Sequence, residues 1–363
     1  MIPLGEGPNL NVLSFSPLRV LAPVRGLVLA VASLPLMLSS SVLIAAENSS
    51  CARFSRVEAH MGTKVTVVLY TDDAATAELA FRRAFDRIVE LNAILSHYEP
   101  QSELTLLSES SPHAVPIAVT DELWQVLFRA RQLSELSEGA FDVTIGPLTK
   151  LWRRTRRKKK LPDRDRFQRA LTAVGFENML LDSEGQTVQL TQPDMRLDLG
   201  GIAKGFIADE ALRSIQELGI HRALVETGGD LAVGEAPPEQ RGWLIGIAGL
   251  ERNQTPDRFI TVSHCGVATS GDLWQFVEIA GQRYSHILDP RTGLGLMQRS
   301  SVTIVAQNCL DADGLASCLS VLGAVAGEKL IAQQPGAEML MLTHVDDHIQ
   351  EVQSSGFPKL SSR

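Results

Sequence analysis

The stretch 197–208, LDLGGIAKGFIA, constrains the fold more than any other part of the chain. An acid stands within an apolar run, two adjacent glycines follow, and Lys204-Gly205 opens a second apolar pattern. That order suits a strand turning sharply into a helix, because glycine has no Cβ to obstruct a tight turn and the first amides of a helix lack carbonyl partners. Amides exposed in this way can seat a phosphate. The same glycines also serve plain strand-to-helix packing, so the turn by itself leaves both readings open.

Around this stretch the apolar spacing alternates between helix and strand periods. Residues 74–95 carry Leu79, Phe81, Ala84, Phe85, Ile88, Val89, Leu91 and Leu95 at helical spacing, which predicts a long amphipathic helix. A second helix is expected over 120–136, with Asp121 and Glu122 in its first turn, where the helix dipole favours acids. Others are expected from Gly146-Pro147, over 163–174, from 202 to about 218 and over 310–322. The run KVTVVLY (64–70) predicts a strand entered from a turn at 61–63. Strands are expected at 223–225, 243–247, 259–262, 284–287 and 302–305, with a hairpin from 179–189 and 195–199 and a closing hairpin from 338–342 and 348–352. Gly228 to Asp230 reads as a turn. Many strands with interspersed helices and no steady βαβ repeat imply an α+β fold.

A chain of 363 residues can bury a substantial core in one large domain or two small ones. Its net charge of -8 argues against a nucleic-acid partner, which would demand a cationic surface. Locally the balance reverses in 153–160, RRTRRKKK, with seven basic residues in eight. That run is either a solvated face or a surface for lipid headgroups or an acidic protein. Arg19 and Arg25 precede the uncharged apolar segment 26–46. Residues 1–50 therefore read as a secretory signal or an N-terminal membrane anchor, with a buried apolar helix as the plain alternative. Cys51 follows Asn48-Ser49-Ser50, which lacks the residues a lipidation site wants. Cys265, Cys309 and Cys318 have no metal-finger spacing and read as buried thiols.

Two further strings carry chemistry. Asp313 and Ser317 stand four apart on an expected helix, so both oxygens share a face. With a backbone carbonyl they make a partial shell for a hard cation, although this spacing also arises by chance. His286 begins HILDPRTG, where an imidazole can serve as a base near neutral pH or can simply be a hydrogen-bonded strand end.

Taken together, LDLGGIAKGF, HILDPRTG (286–293), DADGLASCL (311–319), MGT (61–63) and GAFDVTIGPLTKLW (139–152) resemble the ApbE family of flavin transferases, over residues 54–323. The resemblance implies an ApbE-like α+β fold with mixed or antiparallel sheets and packed helices, as one domain over 54–355. It implies an FAD site with the flavin ring near Met61 and Tyr98, and nucleotide contacts from Ala140, Phe141, Asp142, Asp198, Lys204 and Ile287. It also implies Mg²⁺ held by Asp313, Ser317 and the Gly201 carbonyl, with serine where the family has threonine, and a turn at 267–272. Asp311 is the weaker metal candidate. The implied activity is transfer of FMN from FAD to a Thr or Ser hydroxyl of an acceptor protein, with His286 as the base and AMP released. The family's acceptors are exported parts of respiratory electron-transport complexes, which puts the folded part on the periplasmic side of the inner membrane, anchored or soluble. Two alternatives stay open: an FAD pyrophosphatase giving FMN and AMP, and a flavin-binding envelope protein without chemistry.

Overall fold

The computed structural model describes residues 51–251, 256–273, 275–346 and 348–362. It opens on a hairpin of β1 (Ala52–His60) and β2 (Thr63–Thr71), paired antiparallel from Ala52 with Thr71 to His60 with Thr63. Met61 and Gly62 form its turn with φ of 51° and 69°, the two positive values that a tight hairpin matching strand twist requires. Asp73 caps α1 (Ala74–Leu95) by accepting from the amides of Ala75 and Thr76. Its buried face runs through Ala77, Phe81, Ala84, Phe85, Ile88, Leu91 and Leu95. Leu79 and Val89, expected on that face, are exposed, because they point away from the stripe centred on Phe81 and Ile88.

Next come α2 (Glu103–Glu109), β3 (Ile117–Ala118), α3 (Asp121–Leu136), α4 (Gly146–Lys158) and α5 (Arg164–Thr172). Ser102, Thr120 and Asp163 cap α2, α3 and α5. β4 (Met179–Asp182) and β5 (Thr187–Leu190) pair with each other, with β3 added on the far side of β5. The expected partner at 195–199 is not a strand. It runs alongside the start of α4 through one parallel bridge, Ile145 with Arg196, and the earlier segment closes its own hairpin at 183–186.

From α6 (Ala203–Gln216) the chain builds β6 (Ala223–Thr227), β7 (Asp230–Val233), β8 (Trp243–Gly246), β9 (Arg258–Val262), β10 (Cys265–Gly271), β11 (Phe276–Ile279), β12 (Gln282–Ser285) and β13 (Ser300–Ala306). α7 (Cys309–Leu322), α8 (Ala324–Ile331), β14 (Glu338–Val345), β15 (His348–Gln353) and β16 (Ser361–Ser362) complete it. The central sheet has the order β1-β2-β6-β7-β10-β13-β14-β15 and is antiparallel throughout. Residues 267–272, expected as a turn, lie mostly in β10. Flanked by β7 and β13, Val267 and Ala268 are buried, which a surface turn would not allow.

Alternation along the strands divides the core into two layers. Val67, Val225, Ala232, Ala268, Ile304 and Met341 face α1, α6 and α7. Val68, Leu224, Val233, Val267, Val305 and Leu342 face the small sheet β16-β9-β8, which contributes Trp243, Ile245 and Ile260. Among the described residues no helix is long and apolar enough to cross a membrane, and segment 26–46 lies outside them.

Candidate active site

The turn at 198–202 is the meeting point of α4, α6 and α7. Gly205 lets α6 and α7 touch: a Cβ there would lie 2.1 Å from the Cys309 carbonyl oxygen. This approach brings Asp313 of α7 to the start of α6, where its Oδ2 accepts from the Gly205 amide at 3.0 Å. The helix start does hold an anion, but the Gly205 amide is taken by the chain's own carboxylate.

Lys204 reaches from the same turn of α6 to an ion pair with Asp230, at the start of β7, and its Nζ is 4.0 Å from Asp313 Oδ1. Gly228 and Gly229, with φ of 69° and 109°, make the turn that aims Asp230 inward. Both carboxylates are almost fully buried. Burial, reinforced by Asp313, pushes Asp230 up, while the paired carboxylates hold Lys204 in its charged form. One ammonium thus faces two buried carboxylates, and burial raises both of them, a cost that a bound cation would relieve.

Ser317 completes the oxygen set. It stands one turn beyond Asp313, and its Oγ would lie 2.8 Å from a Cβ on Gly201, so glycine there leaves room for the hydroxyl. Among the described residues no three His, Cys, Asp or Glu side chains are grouped to hold a metal. The donors present are carboxylate, hydroxyl and carbonyl oxygens, which suit Mg²⁺ retaining some of its waters rather than a nitrogen- or sulfur-seeking metal.

Asp198 is heavily engaged. Its Oδ2 accepts from Thr149 Oγ1 at 2.7 Å and lies 3.3 Å from Arg153, while Oδ1 accepts from the Gly200 amide at 3.0 Å and lies 3.1 Å from His97 Nδ1. His97 Nε2 meets Arg153 in turn. Arg153 lies over the Tyr98 ring, its Cζ 4.4 Å from the centroid, and the His97 ring is 4.1 Å from the same ring. Tyr98 nevertheless remains 70% exposed. Met61 sits half-buried in the hairpin turn. That turn abuts Gly228, where a Cβ would lie 2.7 Å from Thr63 Oγ1.

Ala140, Phe141 and Asp142 are buried between α3 and α4, with Phe141 against Gly201. The Asp142 Oδ1 accepts from the Thr144 amide and hydroxyl, each at 2.7 Å, and burial pushes its carboxyl up to about 6.

His286 leaves β12 half-buried, with Ile287 beside it. Its amide and Nδ1 both donate to the Gln275 carbonyl, at 2.9 and 3.1 Å, and Nε2 has no partner among the described residues. Burial, with Arg156 and Lys204 nearby, brings the imidazole down to about 4, so it is neutral at pH 7. Asp289 folds its own loop by accepting from Arg291, and Trp152 Nε1 donates to the Gly293 carbonyl at 2.7 Å, pinning that loop to α4. Asp311 is turned to Arg129, away from the oxygen set.

The structure therefore brings Gly201, Lys204, Asp313 and Ser317 together, with Asp198 on the α4 side of the turn and His286 linked to α4 through Gln275 and Arg156. Sequence reasoning missed His97, Thr149, Arg153 and Arg156 as site residues, and treated Asp230 only as part of a turn. The one available signal was that Arg153 and Arg156 stand at i and i+3, directly after Trp152.

The ApbE family matches over residues 61–341. The FAD:protein FMN transferase of Treponema pallidum is 34% identical over 305 residues, covering 80% of this chain and 84% of that protein. The one from Vibrio cholerae is 32% identical over 308 residues, covering 84% and 91%. Among solved structures, the flavin transferase ApbE of Vibrio cholerae superposes with a TM-score of 0.76 at 29% identity, covering 85% of this chain and 98% of that one. The ApbE protein of Thermotoga maritima gives 0.75 at 27% identity, covering 84% and 98%.

Proposed function

The chain belongs to the ApbE family, and from that premise we propose that it transfers FMN from FAD to a threonine or serine hydroxyl of an acceptor protein, releasing AMP in a Mg²⁺-dependent reaction. The acceptor is an exported part of a respiratory electron-transport complex, and the folded part of this chain works on the periplasmic side of the inner membrane behind its N-terminal segment.

One observation carries the reading: α4 joins the two halves of the site, Arg153 meeting Asp198 in the glycine turn and Arg156 bonding Gln275, whose carbonyl orients His286 and leaves its Nε2 without a partner among the described residues. Gln275 fixes the tautomer by accepting from Nδ1–H, which leaves the lone pair on Nε2. Nε2 takes the proton of the acceptor hydroxyl. The hydroxyl oxygen bonds to the FMN phosphorus as the bond from that phosphorus to the bridging oxygen breaks, and this oxygen departs with AMP. Asp313, Ser317 and the Gly201 carbonyl are the residues to hold Mg²⁺, which when bound neutralises charge on the pyrophosphate. Lys204, kept charged by Asp230, adds a fixed cation beside it.

The test is incubation of purified protein with FAD, Mg²⁺ and exported candidate acceptors. The expected result is covalent flavin fluorescence on an acceptor together with AMP. Free FMN and AMP without a labelled acceptor would make the protein an FAD pyrophosphatase. Bound FAD with neither product would leave a flavin-holding protein.

A further inference from the structure

α4 carries cations from inside the site to the molecular surface. Arg153 bonds to the Asp198 cluster, and Arg156 donates from NH1 to Gln275 Oε1 at 3.0 Å, the same residue whose carbonyl holds His286. Arg157 stands at i+4 from Arg153 and so shares that side of the helix, but it is exposed, as are Lys158, Lys159 and Lys160. Arg166 and Arg169 of α5 are exposed as well. None of these six makes an ion pair among the described residues, whereas Arg56, Arg87, Arg129, Arg213 and Arg258 are each paired with a carboxylate. In a chain with 34 basic and 42 acidic residues, this is a concentrated positive field on an anionic molecule. Asp163 and Asp165 are the nearby acids, and Asp163 is occupied in capping α5.

We propose that the C-terminal half of α4 and the adjoining face of α5 dock an acidic segment of the acceptor protein, flanking the hydroxyl that His286 deprotonates. This rests on the transferase reading of the site. A chain that delivers a hydroxyl to His286 approaches Gln275, whose carbonyl holds that ring, and Arg156 ties Gln275 to α4. A flat lipid surface cannot insert a hydroxyl there, and it gives no reason for the cations to begin inside the site.

The test uses two synthetic peptides, each with one threonine: one flanked by Asp and Glu, the other by Asn and Gln. FMN transfer is measured with the full protein, and docking is read separately by the anisotropy of the labelled peptides. The acidic peptide should show a KM about tenfold lower, with the advantage shrinking between about 50 mM and about 300 mM salt. The variant Arg157→Glu/Lys158→Glu/Lys160→Glu should abolish that preference while kcat and FAD affinity hold. Arg157→Gln/Lys158→Gln/Lys160→Gln should fall between, and it guards against loss of folding at the helix end. Equal KM values and equal binding for the two peptides, or an unchanged preference in the charge-reversed variant, overturn the proposal. Charge-dependent sedimentation with phosphatidylglycerol vesicles but not phosphatidylcholine vesicles, without a peptide preference, overturns it in favour of lipid. If the acidic peptide docks selectively yet neither peptide gains FMN, the transferase reading falls and the docking surface stands.

Discussion

His286 donates its amide and its Nδ1–H to one carbonyl, so Nε2, without a partner among the described residues, holds a lone pair wherever the ring is neutral. Because burial lowers its pKa to about 4, the base form persists well below the usual histidine range. A base works when unprotonated, so activity is lost as pH falls through that value. The acidic limb of kcat/KM for FMN transfer should therefore lie near pH 4, provided the fold survives, and a limb near pH 6.5 would contradict the assignment. His286→Asn should reduce turnover by about a hundred- to ten-thousandfold with little change in FAD affinity, which equilibrium binding checks. At Asp313, replacement by Ala removes a carboxylate from the oxygen set. Activity should fall steeply, and added Mg²⁺ should restore little, since position is lost along with charge. Ser317→Thr should match or exceed the parent, whereas Ser317→Ala should raise the Mg²⁺ requirement more mildly, all read from Mg²⁺ titrations of transfer. Asp313, Ser317 and Gly201 were open to nomination from the sequence through the family resemblance, whose motifs are short and local, and not through one-turn spacing, which also arises by chance. Asp230, His97 and Arg153 were not, because their meaning lies in partners far along the chain: Lys204 is 26 residues from Asp230, and His97 is 56 from Arg153.

Among the elements, α6 and α7 are held closest, and Gly205 is the reason. A methyl group at 205 would meet the Cys309 carbonyl at 2.1 Å and the Asp313 Cβ at 2.9 Å, so the helices would have to part. Gly205→Ala should lower unfolding free energy by about 1–3 kcal/mol, the range for overpacking a tight contact, and the shift of the denaturation midpoint measures it. The same change disturbs the bond from the Gly205 amide to Asp313 and should raise the Mg²⁺ requirement in parallel. The helices with one broad apolar face were legible nearly to the residue: α1 and α3 begin and end where their caps and spacing place them. Strands fared unevenly. β1 is an edge strand with a mostly exposed or half-exposed sequence and little apolar alternation, so only its register against β2 reveals it. β10, where the resemblance implied a turn over 267–272, is a strand because β7 and β13 supply its hydrogen bonds, a long-range pairing invisible in the local composition. Segment 195–199 erred in the opposite direction, since Met195, Leu197 and Leu199 are buried in the main core without being paired into a sheet.

At the scale of the whole molecule, the N-terminal segment and the oxygen pocket each make a claim about the entire chain. If Arg19, Arg25 and the apolar run 26–46 direct export, then residues 1–55 fused to a reporter active only outside the cytoplasm should give a signal, and a silent fusion would end that idea. The pocket links parts of the chain that only the folded state brings together: Gly201 before α6, Asp230 on β7, and Asp313 and Ser317 on α7. A cation bound there binds the native state and not the unfolded chain, so it must raise the unfolding temperature of the whole unit. At about a hundred times its dissociation constant it contributes about 2.7 kcal/mol. For a domain of this size each kcal/mol moves the midpoint by about 2–4 °C, giving a rise of about 5–10 °C. The measurement is a thermal melt across a Mg²⁺ titration, run without FAD and again with FAD but no acceptor, so that metal binding is read apart from any turnover. Asp313→Asn keeps an oxygen for the Gly205 amide and removes one of two carboxylates that share Lys204. Its metal-free midpoint should therefore equal or exceed that of the parent, while its response to Mg²⁺ disappears. A parent midpoint that stays flat across the titration, or a variant that responds as the parent does, would mean that the buried carboxylates serve only Lys204 and the helix contact.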